Sequence, residues 1–238
     1  MRKLVMIVFV FISLSFIGCQ RLPNKNEKII DIIEQFRKGN YEYTLKGYSY
    51  EPGQGEKCLY EMQGKLISDP YQQYEKGDME EVYAYEKEGS TYRDIKLSTN
   101  DGKNKYITYK AEKGSELYIR DNLKFTYIRD EKVDDCKLSV FSSEYEKENV
   151  IADSNMRITL PCTIKLEYYV DLKTEVVQRI IVDLTESDKV DEIGGLILNG
   201  ITEDDAKEIV DARSNMSSMK VVIDIKNFGG DIKIDHPH

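Results

Sequence analysis

Ile164-Lys165-Leu166-Glu167-Tyr168-Tyr169-Val170-Asp171-Leu172-Lys173-Thr174-Glu175-Val176-Val177-Gln178-Arg179-Ile180-Ile181-Val182-Asp183-Leu184 decides the fold class. Ile164, Leu166, Tyr168 and Val170 alternate with other residues at a period of two, which places them in one row on one face of an extended chain. Asp171-Leu172-Lys173-Thr174 reads as a turn, and Val176, Ile180, Val182 and Leu184 line one face of the returning strand. An antiparallel hairpin with one apolar face must bury that face against something else.

Working downstream, the period changes. Val190, Ile193, Leu196 and Ile197 share a helical face, and Thr202 with Asp205 forms a capping box ahead of Ala206, Ile209 and Val210. Two helices are therefore expected near 188–212, the first weakened by Gly194, Gly195 and Gly200. Val221, Ile223 and Ile225 restore the strand pattern over 220–226, and after the turn at Asn227-Phe228-Gly229-Gly230 a last short strand is expected through Ile232 and Ile234.

Upstream, Ile29, Ile30, Ile33 and Phe36 recur at helical spacing until Gly39-Asn40, so a helix is placed near 27–38. Tyr41, Tyr43 and Leu45 alternate, Glu51 to Gly55 turns, and further strands are expected at 57–67, 71–76, 80–87, 91–97, 105–111 and 116–129. Tyr85 to Asp94 and Tyr109 to Asp121 echo one another and predict two similar hairpins; residues 131–155 give no clear pattern.

At the N-terminus, Arg2 and Lys3 precede a 14-residue apolar run from Leu4 to Ile17, interrupted only by Ser13 and Ser15. The layout is that of an export signal, and the run is shorter than the roughly 20 residues a membrane-crossing helix needs. It ends in Phe16-Ile17-Gly18-Cys19, which resembles the lipobox of bacterial lipoproteins. The resemblance implies cleavage of residues 1–18, a diacylglyceryl group on Cys19 and a tether over 19–26. Residues 27–238 then form a single β-rich domain held at the extracytoplasmic face of a cell membrane. Two acyl chains give stable anchorage where one gives only marginal binding.

Loss of Arg2 and Lys3 with the leader takes the formal charge from −9 to −11. A body this acidic is repelled by phosphates, which argues against nucleic acid and for a soluble, monomeric domain. Scarce alanine beside abundant Lys, Ile, Glu and Tyr points to an AT-rich genome and favours a Gram-positive membrane.

Taken together, the lipobox, the N-terminal helix, the Tyr-rich meander, the hairpin through Glu167-Tyr168-Tyr169-Val170-Asp171 and the closing Val222-Ile223-Asp224-Ile225-Lys226-Asn227-Phe228 and Ile232-Lys233-Ile234-Asp235 resemble the LolA-like lipoproteins. That family implies an α+β fold. A curved antiparallel sheet, a half-barrel, packs against an N-terminal helix and a C-terminal helical insertion and holds acyl chains in its cavity. On this reading Leu166, Tyr168, Ile180, Val182 and Ile223 are the candidate ligand-cavity residues. Read from their pattern alone, they serve equally as filled core.

Catalytic constellations are missing from the sequence. The two histidines, His236 and His238, stand at the chain end, and there is no G-x-S-x-G, P-loop, H-E-x-x-H or dinucleotide fingerprint. Asp101-Gly102-Lys103-Asn104 lacks the carboxylates of a calcium loop. The acidic runs Asp78 to Glu81 and Glu203 to Asp205 read as solvated faces. Beyond Cys19, Cys58, Cys136 and Cys162 lack C-x-x-C spacing, so no zinc site is expected; one bridge with a free thiol and three buried thiols both fit. The expectation is a protein without enzymatic activity, cofactor or metal. It binds a hydrophobic ligand or, with a filled core, serves as a structural or protein-interaction module.

Overall fold

The structure, a computed structural model, describes residues 24–78, 81–98, 104–111, 118, 120, 122–153, 156–214 and 218–235. Cys19, the leader, the turns at Asp101-Gly102 and Gly114, and both histidines lie outside the described residues. The described residues open with helix α1 (Lys25–Lys38), followed by strands β1 (Tyr41–Glu51), β2 (Gly55–Ser68), β3 (Tyr71–Gly77), β4 (Glu81–Lys87), β5 (Ser90–Ser98) and β6 (Asn104–Ala111). Then come β7 (Thr126–Val133), β8 (Cys136–Ala152), β9 (Arg157–Asp171) and β10 (Val176–Asp183), helices α2 (Thr185–Leu198) and α3 (Glu203–Ser214), and β11 (Ser218–Lys226).

Among the described residues all eleven strands join one antiparallel sheet in the order β6-β5-β4-β3-β2-β1-β11-β10-β9-β8-β7, and this sheet does not close. Neighbours follow the chain except at one seam, where β1 pairs with β11, Leu45 opposite Ile223. Because paired residues point to the same face, register defines rows across the sheet. One row runs Met62, Leu45, Ile223, Ile180, Tyr168, Phe141, Tyr127. This row lies on the inner face, which carries the main core.

The core forms where helices press on that face. Asn24 caps α1 by accepting from the Asn26 N–H, Glu27 sits in its first turn and Arg37 and Lys38 in its last, as the helix dipole favours. The stripe Ile29, Ile32, Ile33 and Phe36 is buried against the sheet, and Phe36 stacks on Tyr41 with ring centroids 4.5 Å apart. At the opposite end α2 packs on β8, β9 and β11. Buried Asn149 secures it, donating to the Ser187 hydroxyl at 2.9 Å and to Asp191 at 2.8 Å.

Several expectations are corrected. The stretch 131–155, without pattern in sequence, forms most of the β7–β8 hairpin, because its outward row carries Glu144, Glu146 and Glu148 and its inward row carries Ser139, Ser143 and Asn149. The expected strand at 116–129 begins only at Thr126 among the described residues, and 231–235 is not a strand. Tyr85 to Asp94 forms a hairpin, but Tyr118 and Arg120 in its echo are not in strands. A bulge inserts Gln178 between the Val177–Val170 and Arg179–Tyr169 pairs, which turns Val177 inward in place of Val176. The thiols of Cys58, Cys136 and Cys162 are free, and only Cys162 is buried.

Candidate functional site

Leu166, Tyr168, Ile180, Val182 and Ile223 stand together in one cluster with Ile29, Ile33 and Phe36 of α1, each 0–1% exposed except Ile33 at 4%. A guest at these positions has to displace α1 or α2. The inner face continues, however, beyond the part these helices cover. They pack on β1 and on β7 to β11; on β2 to β5 the inward Leu66, Tyr71, Gln73, Val82, Ala84 and Thr91 are buried as well, and exposure rises only toward the rim of the face.

At that rim Tyr60, Ile107 and Tyr109 are exposed at 39%, 46% and 41%. Register places Ile107 beside Ile95, Ile95 beside Val82, and Tyr109 beside Arg93, all on the inner side. Met62, Ile95 and Arg93 are half-buried between them. The face is thus apolar and aromatic at its rim. Two glycines let the rings lie flat on the strands: a Cβ at Gly47 meets the Tyr60 ring at 2.2 Å, and one at Gly64 meets the Tyr43 ring at 2.1 Å.

The floor beneath this surface is polar and internally bonded. Tyr43 donates to Glu75 Oε1 at 2.7 Å, Gln73 Nε2 donates to the Tyr43 hydroxyl at 2.8 Å, and Tyr71 donates to Gln73 Oε1 at 2.6 Å. Arg93 pairs with Glu75 at 3.6 Å. Burying such groups is tolerable only with partners, and here they supply each other. Burial pushes the Tyr43 phenol well above its usual range, with the Glu75 charge adding to the effect. Tyr118, packed on the core, is pushed up to about 12 by burial, with Tyr60, Tyr145 and Glu75 adding to the effect.

Sequence reasoning missed this surface. Gln73 and Glu75 stand in a segment read only as a strand, with neither row assigned to the core; their row continues from Tyr71 and is the inward one. The signal was present in the Tyr71-x-Gln73-x-Glu75 spacing, but period alone does not say which row faces the core. Grooves of about 890 Å³ and 490 Å³ lie elsewhere. Register puts most of their lining side chains, among them Glu144, Lys165, Glu167 and Asp183, on the outer face. Their charge unsuits them to an apolar guest. Among the described residues no cluster of His, Cys, Asp and Glu is arranged to hold a metal, and no helix is long and apolar enough to cross a membrane.

No protein-family model matches the chain, and no curated protein matches it. Solved structures with some likeness include LprF from Mycobacterium bovis, 10% identical at a TM-score of 0.42, covering 90% of this chain and 97% of that one. The Mycobacterium tuberculosis lipoprotein LppX is 9% identical at 0.37, covering 87% and 99%. A LolA superfamily protein from Nitrosomonas europaea is 10% identical at 0.26, covering 87% and 95%. At such scores the likeness carries no functional weight.

Proposed function

We propose that this chain is a lipoprotein anchored through Cys19 at the extracytoplasmic face of a membrane, where it binds an amphipathic hydrophobic molecule without catalysing a reaction. The observation that supports it is the unequal cover of a single face. The rows that are 0–1% exposed at Tyr168, Ile180 and Ile223 under the helices belong to the same inner face that reaches 39–46% exposure at Tyr60, Ile107 and Tyr109. An apolar chain laid along Tyr60, Met62, Ile95 and Ile107 removes that surface from water and brings a charged end near the half-buried Arg93. The LolA-like reading of the sequence agrees with this arrangement.

The test is titration of the purified mature protein with a fluorescent fatty acid, alongside mass spectrometry of lipid carried through purification. Saturable binding is expected, and Ile107→Gln combined with Tyr60→Ser weakens it by about tenfold as the buried apolar area is lost. Both side chains are exposed, so the double variant keeps its fold. A folded protein with neither carried lipid nor saturable binding leaves the second reading, an interaction module, which the packed half of the inner face favours.

A further inference from the structure

We infer that the protein stands on the membrane with the end bearing the start of α1 and the β9–β10 turn toward the bilayer, and with the acidic α2–α3 pair held away from it. This rests on the reading of Cys19 as the lipid-bearing residue. Two independent features of the molecule, the length of the tether and the distribution of charge, point the same way.

The tether is short. Helix α1 is capped at Asn24, so five peptide units separate it from Cys19. Fully extended, they span at most about 18 Å. The start of α1 is itself fixed to one end of the sheet. Asn26 Oδ1 accepts from the Tyr127 N–H at 3.0 Å, Lys25 donates to Asp130 at 2.9 Å, and Lys28 donates to the Leu172 carbonyl at 2.8 Å and pairs with Glu175 at 2.7 Å. Residues 172–175 are the β9–β10 turn, so the tether joins the fold beside that turn.

The helix pair occupies the other end. β10 leaves the turn at Val176 and delivers the chain to α2 at Thr185. Its eight residues rise about 26 Å, more than the tether spans. From Thr185 to Ser214 the chain carries nine carboxylates and three basic side chains, a net charge of −6. Glu203, Asp204, Asp205, Glu208 and Asp211 are all exposed. An anionic bilayer repels this end, and the repulsion acts over roughly one Debye length of 8–10 Å. A domain tied at one end and repelled at the other is oriented.

The chain contains no tryptophan, so single tryptophans report position without background. Lys173→Trp marks the tethered end and Asn199→Trp the far end, both at exposed sites. Each mature protein is reconstituted into vesicles of phosphatidylcholine and phosphatidylglycerol carrying dansyl-phosphatidylethanolamine, and energy transfer from tryptophan to the headgroup dye is measured. Transfer from Lys173→Trp should exceed that from Asn199→Trp by about threefold or more, and reversing charge with Glu203→Lys, Asp204→Lys and Glu208→Lys should narrow the difference. Equal transfer from the two positions in a chain shown by mass to carry diacylglyceryl overturns the orientation and leaves the anchor standing. A mature chain without the lipid overturns the anchor and the orientation with it, while fatty-acid binding remains a separate measurement.

Discussion

Glu81 shows how single residues on the outer face hold neighbouring strands in register. Its carboxylate accepts from Lys96 at 2.6 Å, Tyr74 at 2.8 Å and Tyr83 at 2.9 Å, joining β3, β4 and β5. Lys96 foremost, then the two phenols, hold it at about 2 against an ordinary 4.5. A folded-state value below the unfolded one stabilises the fold above the unfolded value and loses that stabilisation as pH falls through the folded one. Glu81→Gln should therefore cost about 1–2 kcal/mol at pH 7, discounted for the solvent that still reaches the site. In urea unfolding the gap between the two proteins should close as pH falls from about 4.5 toward 2. A gap that persists at the acid limit contradicts the ion pair as its cause. None of this was legible in sequence, because Tyr74, Glu81 and Lys96 look like ordinary surface residues until register brings them together.

Elements were legible where their period was strong. The α1 stripe announced itself through Ile29, Ile33 and Phe36, although Ile30, read with them, faces solvent and Ile32 is buried instead; its placement follows from two aromatic contacts, Phe36 on Tyr41 at 4.5 Å and beside Phe228 at 6.0 Å. Phe36→Ala should destabilise the protein by about 3–5 kcal/mol, since the helix and β1 cannot both move to fill the gap. Ile30→Gln, on the exposed side of the same helix at 48% exposure, should stay within about 0.5 kcal/mol. Thermal or urea denaturation distinguishes them. The β7–β8 hairpin was illegible for the converse reason. Its inward row uses Ser143 and Asn149 beside Phe141 and Tyr145, so no apolar alternation marks it.

Across the whole molecule, two runs of consecutive strands, β1 to β6 and β7 to β10, are held as one sheet through β11, the last of the described strands. β11 pairs with β1 over nine residue pairs and with β10 over five. A chain ending at Ser214 should fail to unfold cooperatively, because Tyr43, Leu45, Ile180 and Val182 lose the strand that lies between them. Calorimetry of that truncation checks it, and a sharp transition at undiminished enthalpy contradicts the seam.

Local period by itself determined the β-rich class, the hairpin at 164–184, helix α1 and the helical insertion before the last strand, because alternation and 3.6-residue recurrence are properties of adjacent residues. Tertiary structure alone decided that β1 meets β11, that Val177 faces inward past a bulge, and that Gln73 and Glu75 are buried. It also decided which half of the inner face the helices cover. Each of these depends on partners far apart in the chain, and the inner and outer rows of a strand become distinct only when something packs against one of them.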